Sequence, residues 1–378
     1  MRRDQIILAV AGVLLIALTF SACSSGLLTT LFPLNTFGGI GQFVYAANRN
    51  SGNASGYVIN AANGVLTPIP GSPFTVGGGP TGVATDPSGK YVFILDDTGE
   101  IYGFTINATT GALTAVPGSP FNAGSCPNRV AVDPSGKFVY VTDSCAGSVV
   151  AFTLNAATGA LTPVANSPFS TSCGAVDVVV DPTGKFLYVT DDDAICGSVF
   201  AFTINATSGA LTPVTGSPFS AGSNPRGVAV DPSGKFVYVA NEGDGNVSAY
   251  TLNATSGALT PVAGSPFAAG FEPNGVAVHP SGKFVYVANG DNDNVSAFTI
   301  NTTTGALTPV AGSPFAAGTF ARSVAVDPSG KFLNVTNANS SNVSVYSINS
   351  TSGALTPVAG SPFPAGSSPQ GIAVARHQ

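Results

Sequence analysis

Tryptophan is absent from this 378-residue chain, methionine occurs once, histidine twice, and charged residues make up only 8%. Apart from Arg2-Arg3, the 13 lysines and arginines are scattered singly in a chain of net charge −6, so no basic patch exists to meet nucleic-acid phosphates. Little charge combined with 44% hydrophobic residues excludes disorder, which needs the opposite balance. General acid–base work at neutral pH is done by His more than by any other side chain. Here the only two are His279 and His377, and neither is placed for catalysis. There is no G-x-S-x-G nucleophile elbow. The segment Gly77-Gly-Gly-Pro-Thr-Gly82 fits G-x-G-x-x-G formally, but it leads into a strand pattern instead of a helix and reads as a loop.

What the chain has in abundance is repetition. The phrase G-A-L-T-P followed by G-S-P-F, or a close variant, begins at Gly64, Gly111, Gly159, Gly209, Gly257, Gly305 and Gly353, at spacings of 47 to 50 residues. A period of that length in Val, Thr, Gly and aromatic residues signals radially repeated β-structure. In the fourth unit, Gly227 to Val230 predicts a first strand and Asp231-Pro-Ser-Gly234 a type I turn. Further strands follow over 236–240, 246–253 and 258–263. Pro261 interrupts the last, which must therefore be the outermost, since Pro is tolerated only at a sheet edge.

The turn D/H-P-S/T-G-K occurs six times, from Asp86 to Asp327, against seven outer-strand phrases. The missing first strand is Gly371-Ile-Ala-Val374, at the far end. The expected fold is all-β: a seven-bladed β-propeller of four-stranded antiparallel blades. It closes by pairing the C-terminal inner strand with the three N-terminal strands. A linear solenoid would instead carry polar capping repeats at both ends.

Phe138-Val-Tyr-Val-Thr142, Phe186-Leu-Tyr-Val-Thr190 and Phe236-Val-Tyr-Val-Ala-Asn241 resemble the YVTN propeller repeat. Over residues 41–378 the unit is similar to the seven-bladed lactonase family, which includes 6-phosphogluconolactonase and carboxymuconate-lactonizing enzymes. No Trp-Asp dipeptide is present, which disfavours the WD-repeat class. The resemblance implies hydrolysis of anionic sugar lactones at the mouth of a central channel, although fold alone does not fix function.

Arg2 and Arg3 precede an apolar run over 6–20 and then Ser21-Ala22-Cys23, a secretory signal pattern. It resembles the bacterial lipobox, with Phe20 in place of the usual Leu. The expectation is a lipoprotein signal peptide over 1–22, lipidation at Cys23, a tether over 23–40 and the propeller over 41–378. Such a protein is exported to the bacterial cell envelope, on the outer membrane or cell surface, and touches the membrane only through its lipid. A monomer is expected.

Within such blades the loops after strands one and three share one face, with near-identical turns. Loops after strands two and four share the other, and these vary: Asp96-Asp97, Asp191-Asp-Asp193, Glu242-Gly-Asp244, Asp291-Asn-Asp293. In repeat proteins, differences between units collect on the binding face. Cysteines 126, 145, 173 and 196 also fall there, and the repeat geometry favours disulfides Cys126–Cys145 and Cys173–Cys196. A zinc site is the rival, but it lacks His and a C-x-x-C knuckle.

Residues entering the inner strands line the channel mouth. They include Arg129, Asp177, Arg226, Asn274, Arg322 and Gln370. Three guanidinium groups converging there would suit a carboxylate or phosphate. The sparse polar residues and unhelpful histidines lead to the expectation of a non-catalytic propeller. It would bind a small anionic molecule, a carbohydrate or an envelope protein through its variable acidic face. The alternative is a lactonase in which the arginines hold the substrate and Asp177 activates water. No cofactor is called for. The acidic loops offer oxygen ligands suited to Ca²⁺, without the regular spacing of a calcium loop.

Overall fold

Seven antiparallel sheets succeed one another around a ring in the computed structural model, which describes residues 42–171, 174–192 and 197–376. The expected signal peptide, tether, lipidation site Cys23 and disulfide Cys173–Cys196 lie outside the described residues. We number blades by their inner strands: one (Pro80–Thr85), two (Pro127–Val132), three (Ala175–Val180), four (Pro225–Val230), five (Pro273–Val278), six (Ala321–Val326) and seven (Pro369–Arg376).

Blade four shows how the sequence makes a sheet. After the inner strand, Asp231 closes its turn by accepting the backbone N–H groups of Lys235 and Phe236, both at 2.7 Å. The second strand, Phe236–Asn241, is buried along its whole length because neighbouring sheets cover both of its faces. The third strand, Asn246–Leu252, pairs with an outer layer that differs from the single strand expected over 258–263. That layer is two short segments, Leu259–Pro261 and Phe267–Ala268, both paired with the third strand. The reason is chemical: Pro261 and Pro266 carry no N–H with which to extend a ladder. Between them the Ser265 hydroxyl accepts the Ala249 N–H at 2.9 Å in place of a backbone carbonyl.

The core lies between blades. One apolar cluster joins Tyr188 and Val199 of blade three to Val237, Val239 and Tyr250 of blade four. Buried tyrosines also pin each sheet to the next: the Tyr238 hydroxyl donates to the Gly305 carbonyl at 3.0 Å, and Tyr286 to Gly353 at 3.0 Å. Burial raises the pKa of both phenols, so they stay protonated donors.

Blade seven is assembled from both ends of the chain. Its second strand, Gln42–Asn48, pairs antiparallel with the inner strand Pro369–Arg376, with Val44 opposite Val374 and Ala46 opposite Ile372. The expected closure is the one observed.

Candidate functional site

Every inner strand carries a register shift near its start, for example between Pro127 and Val130, Ala175 and Val178, and Pro225 and Val228. A bulge of this kind re-aims side chains and is enriched beside active sites. Arg129, Asp177, Arg226 and Asn274 all fall inside these bulges. Threonines of the second strands hold two of them. Thr142 Oγ1 accepts the Arg129 N–H at 3.0 Å and donates to the Val176 carbonyl at 3.0 Å. Thr190 Oγ1 accepts the Asp177 N–H at 3.1 Å and donates to the Arg226 carbonyl at 2.5 Å.

One register position explains where the channel opens. At Gly227 and Gly275 the next inner strand approaches so closely that a Cβ would sit 2.5 Å from the Asn274 carbonyl oxygen and 2.8 Å from that of Arg322. Arg129 and Asp177 occupy the same register in blades two and three, so the gaps beside those strands hold charged side chains instead.

The resulting cavity, about 160 Å³, is walled by Arg129, Asp177, Arg226, Asn274 and Arg322 over a floor of apolar residues that includes Val83, Val130 and Ile372. Gln370 lines an adjoining hollow of about 300 Å³ with Arg129, Arg322 and Arg49. All six residues read from the sequence are thereby placed around one mouth.

Their electrostatic states differ. Arg226 is neutralised: Nε donates to Glu242 Oε2 at 2.7 Å and Nη1 to Asp192 Oδ2 at 2.8 Å. Those partners sit in the acidic loops after the second strands of blades three and four. Arg129 donates from Nη1 to the carbonyls of Asn128 at 3.2 Å and Thr81 at 3.4 Å. Burial lowers its pKa, Asp177 opposes that, and Arg226 adds to it. Arg322 has no hydrogen-bond or ion-pair partner among the described residues, and its Nε is buried without one. Burial, reinforced by Arg129 and Arg226, brings its pKa down to about 10. It still carries a full charge at neutral pH.

Asp177 is braced at both oxygens. Oδ1 accepts the Val178 N–H at 2.9 Å, and Oδ2 accepts the Val228 N–H of the next blade at 3.0 Å. Burial nevertheless outweighs these contacts and the Arg129 charge, so its pKa is raised. A carboxylate of raised basicity facing a cationic cavity is suited to taking a proton from water. Glu272 is a second carboxyl at the mouth. Its pKa is raised by burial and then by Asp291 and Glu242, and Arg226 opposes the rise.

Sequence reasoning did not foresee that Asp192 and Glu242 would occupy Arg226. The available signal was positional: both directly follow second strands, beside the start of an inner strand. The expected disulfide Cys126–Cys145 is present, with a Cα–Cα distance of 5.3 Å. It ties two loops of blade two just ahead of Arg129. Among the described residues, no cluster of three or more His, Cys, Asp or Glu is arranged to hold a metal ion.

A family described as "Lactonase, 7-bladed beta-propeller" matches residues 80–270 and 263–369. No curated protein sequence is significantly similar to the chain. Among solved structures, a candidate 6-phosphogluconolactonase from Bacteroides uniformis superimposes with a TM-score of 0.78 at 20% identity. The match covers 89% of this chain and 100% of that one. The periplasmic gluconolactonase of Pseudomonas aeruginosa gives 0.76 at 20% identity, covering 90% and 100%. At such identities the likeness is one of fold. The family match, joined to these folds, overturns the expectation of a propeller without catalysis and favours the lactone-hydrolysing alternative.

Proposed function

The chain belongs to the seven-bladed β-propeller lactonase family, and from that premise we propose that it hydrolyses a small anionic sugar lactone at the channel mouth. The observation that carries this reading is Arg322: a guanidinium in a walled cavity with no partner among the described residues and two further arginines close enough to depress its pKa. An unpaired buried charge is costly, so its retention points to a ligand of opposite sign. Arg322 and Arg129 hold the substrate's anionic group, Asn274 and Gln370 offer amide groups to its hydroxyls, and Arg226 organises the acidic side of the rim.

Asp177 takes a proton from water as the oxygen attacks the lactone carbonyl. The ring C–O bond then breaks, and the alkoxide leaving group receives the proton to give the hydroxy acid. The neighbouring guanidinium groups stabilise the negative charge that develops on the carbonyl oxygen. No metal takes part in this scheme. The test is a pH-stat screen of D-glucono-1,5-lactone and its 6-phosphate. Acid release should exceed the spontaneous rate and favour the phosphorylated ring. It should fall by about 100-fold or more in Asp177→Asn, the scale expected of a general base. Turnover unchanged in that variant would refute the assignment of the base.

A further inference from the structure

Around the mouth, the residue that follows each second strand is polar or charged over one arc: Arg49, Asp97, Ser144, Asp192 and Glu242. Over blades five and six it is Gly290 and Ala338. The two loop positions leading into the inner strands change in the same sense. Blade four has Ser223 and Asn224 there and blade seven has Ser367 and Ser368. Aromatic residues occupy these positions only at Phe271 and Phe320, which belong to adjacent blades.

Both aromatics are held in place. The Phe271 N–H donates to Asn292 Oδ1 at 2.5 Å, and the Phe320 N–H to Asp293 Oδ1 at 2.7 Å. Phe320 itself stands at φ 58°, a conformation costly for a bulky residue and kept only where the surroundings fix it. Phe271 is 71% exposed, the one large hydrophobic side chain so open among the described residues.

Gly290 makes room for the ring of Phe320. A Cβ there would lie 3.0 Å from Asn274 Nδ2 and 3.3 Å from Phe320 Cε2. The Asn274 amide and the Phe320 ring are therefore at most 6.3 Å apart (3.0 plus 3.3). Asn274 in turn walls the cavity beside Arg322. The mouth is thus uneven: the residue after the second strand is polar or charged from blade seven round to blade four and Gly290 or Ala338 over five and six, where the aromatics stand beside the Glu272 carboxyl and the Arg322 guanidinium.

We propose that Phe320, extended outward by Phe271, forms a stacking lip for the C–H face of the substrate's sugar ring while its hydroxyls face the charged arc. This rests on the lactonase reading and adds a specificity determinant to it: a six-membered carbohydrate ring is preferred over an aliphatic lactone. Phe320 and Phe271 bind and orient the ring and take no part in proton transfer.

The experiment compares wild type, Phe320→Ala, Phe271→Ala, the double variant and Phe320→Tyr. Hydrolysis of D-glucono-1,5-lactone is set against that of γ-butyrolactone, and D-gluconate binding is measured by calorimetry. The expected result is KM for the sugar lactone raised 5- to 30-fold in the double variant, with kcat within twofold. γ-Butyrolactone kinetics should not change, and Phe320→Tyr should restore KM. Equal shifts for both lactones, or undiminished gluconate affinity in the double variant, would overturn the lip. A wild type that binds gluconate through these aromatics without hydrolysing any lactone would sink the hydrolase reading and leave the lip standing. A wild type that neither binds nor hydrolyses overturns both.

Discussion

Replacing Arg322 with Met should make this protein more stable and less useful. Burial and two neighbouring arginines bring the guanidinium pKa from above about 12 to about 10. Each pH unit of that lowering corresponds to about 1.4 kcal/mol, which sets a ceiling of about 3 kcal/mol on the cost of the charge. The side chain is open to the channel on one side, so solvent screening reduces this to roughly 1–2 kcal/mol. Methionine of similar length fills the space without charge. In a domain this large the gain reads as a rise in Tm of a few degrees.

The sign follows from linkage. A base with a depressed folded-state pKa binds fewer protons folded than unfolded, so wild-type stability rises as pH passes above about 10. Arg322→Met should not show that rise. Melting curves from pH 7 to 10.5, with and without phosphate, provide the assay. Phosphate should raise the wild-type Tm and not the variant's, and the variant's lactone turnover should fall at least 100-fold. A variant that melts below wild type and keeps its activity would refute the claim that Arg322 waits for an anion.

Three further outcomes are expected. Deleting residues 370–378 removes most of the strand paired with Gln42–Asn48 and uncovers the neighbouring sheets. The lost hydrogen bonds and apolar burial come to about 5 kcal/mol or more, comparable with total stability, so circular dichroism should show no cooperative melt near the wild-type Tm. Asn334, fully buried with an unpartnered Oδ1, occupies the place of the pinning tyrosines. Asn334→Tyr should reach the Gly64 carbonyl and gain about 1–3 kcal/mol, read as a higher denaturant midpoint. Changing Cys126 and Cys145 to Ser together removes a 19-residue cross-link and should cost about 3 kcal/mol. It should also weaken phosphate binding, because the tied loop leads into Arg129.

The ring was legible in the residues because its evidence is redundant: six turns of one kind, seven outer phrases, and a spare inner strand at the far end. Cys126–Cys145 was legible for the same reason, since equivalent loops of one blade must be neighbours. The mouth residues followed from counting back from the turn Asp, which works because the bulge recurs in every blade.

What the sequence withheld were events between blades. Arg226 finds Asp192 of blade three at 2.8 Å and Glu242 of its own blade at 2.7 Å, and no one-dimensional pattern distinguishes a paired guanidinium from an unpaired one. The broken outer layer escaped because the serine of the repeated phrase, although it recurs in every blade, carries nothing in its residue type to show that its hydroxyl stands in for a carbonyl. The placing of two aromatics on one loop escaped because Phe271 and Phe320 lie 49 positions apart and meet the successive residues Asn292 and Asp293 only in the folded ring.

Gln370 belongs to the strand that completes blade seven. In the order of synthesis, that strand emerges only after six whole sheets, while Gln42–Asn48 must wait for it from the start. A ribosome-bound fragment ending in blade six thus possesses five of the six mouth residues and still has an open seam. The sixth mouth residue and the closure of the ring arrive with the same short segment, so a prematurely terminated product has neither and is open to proteolysis.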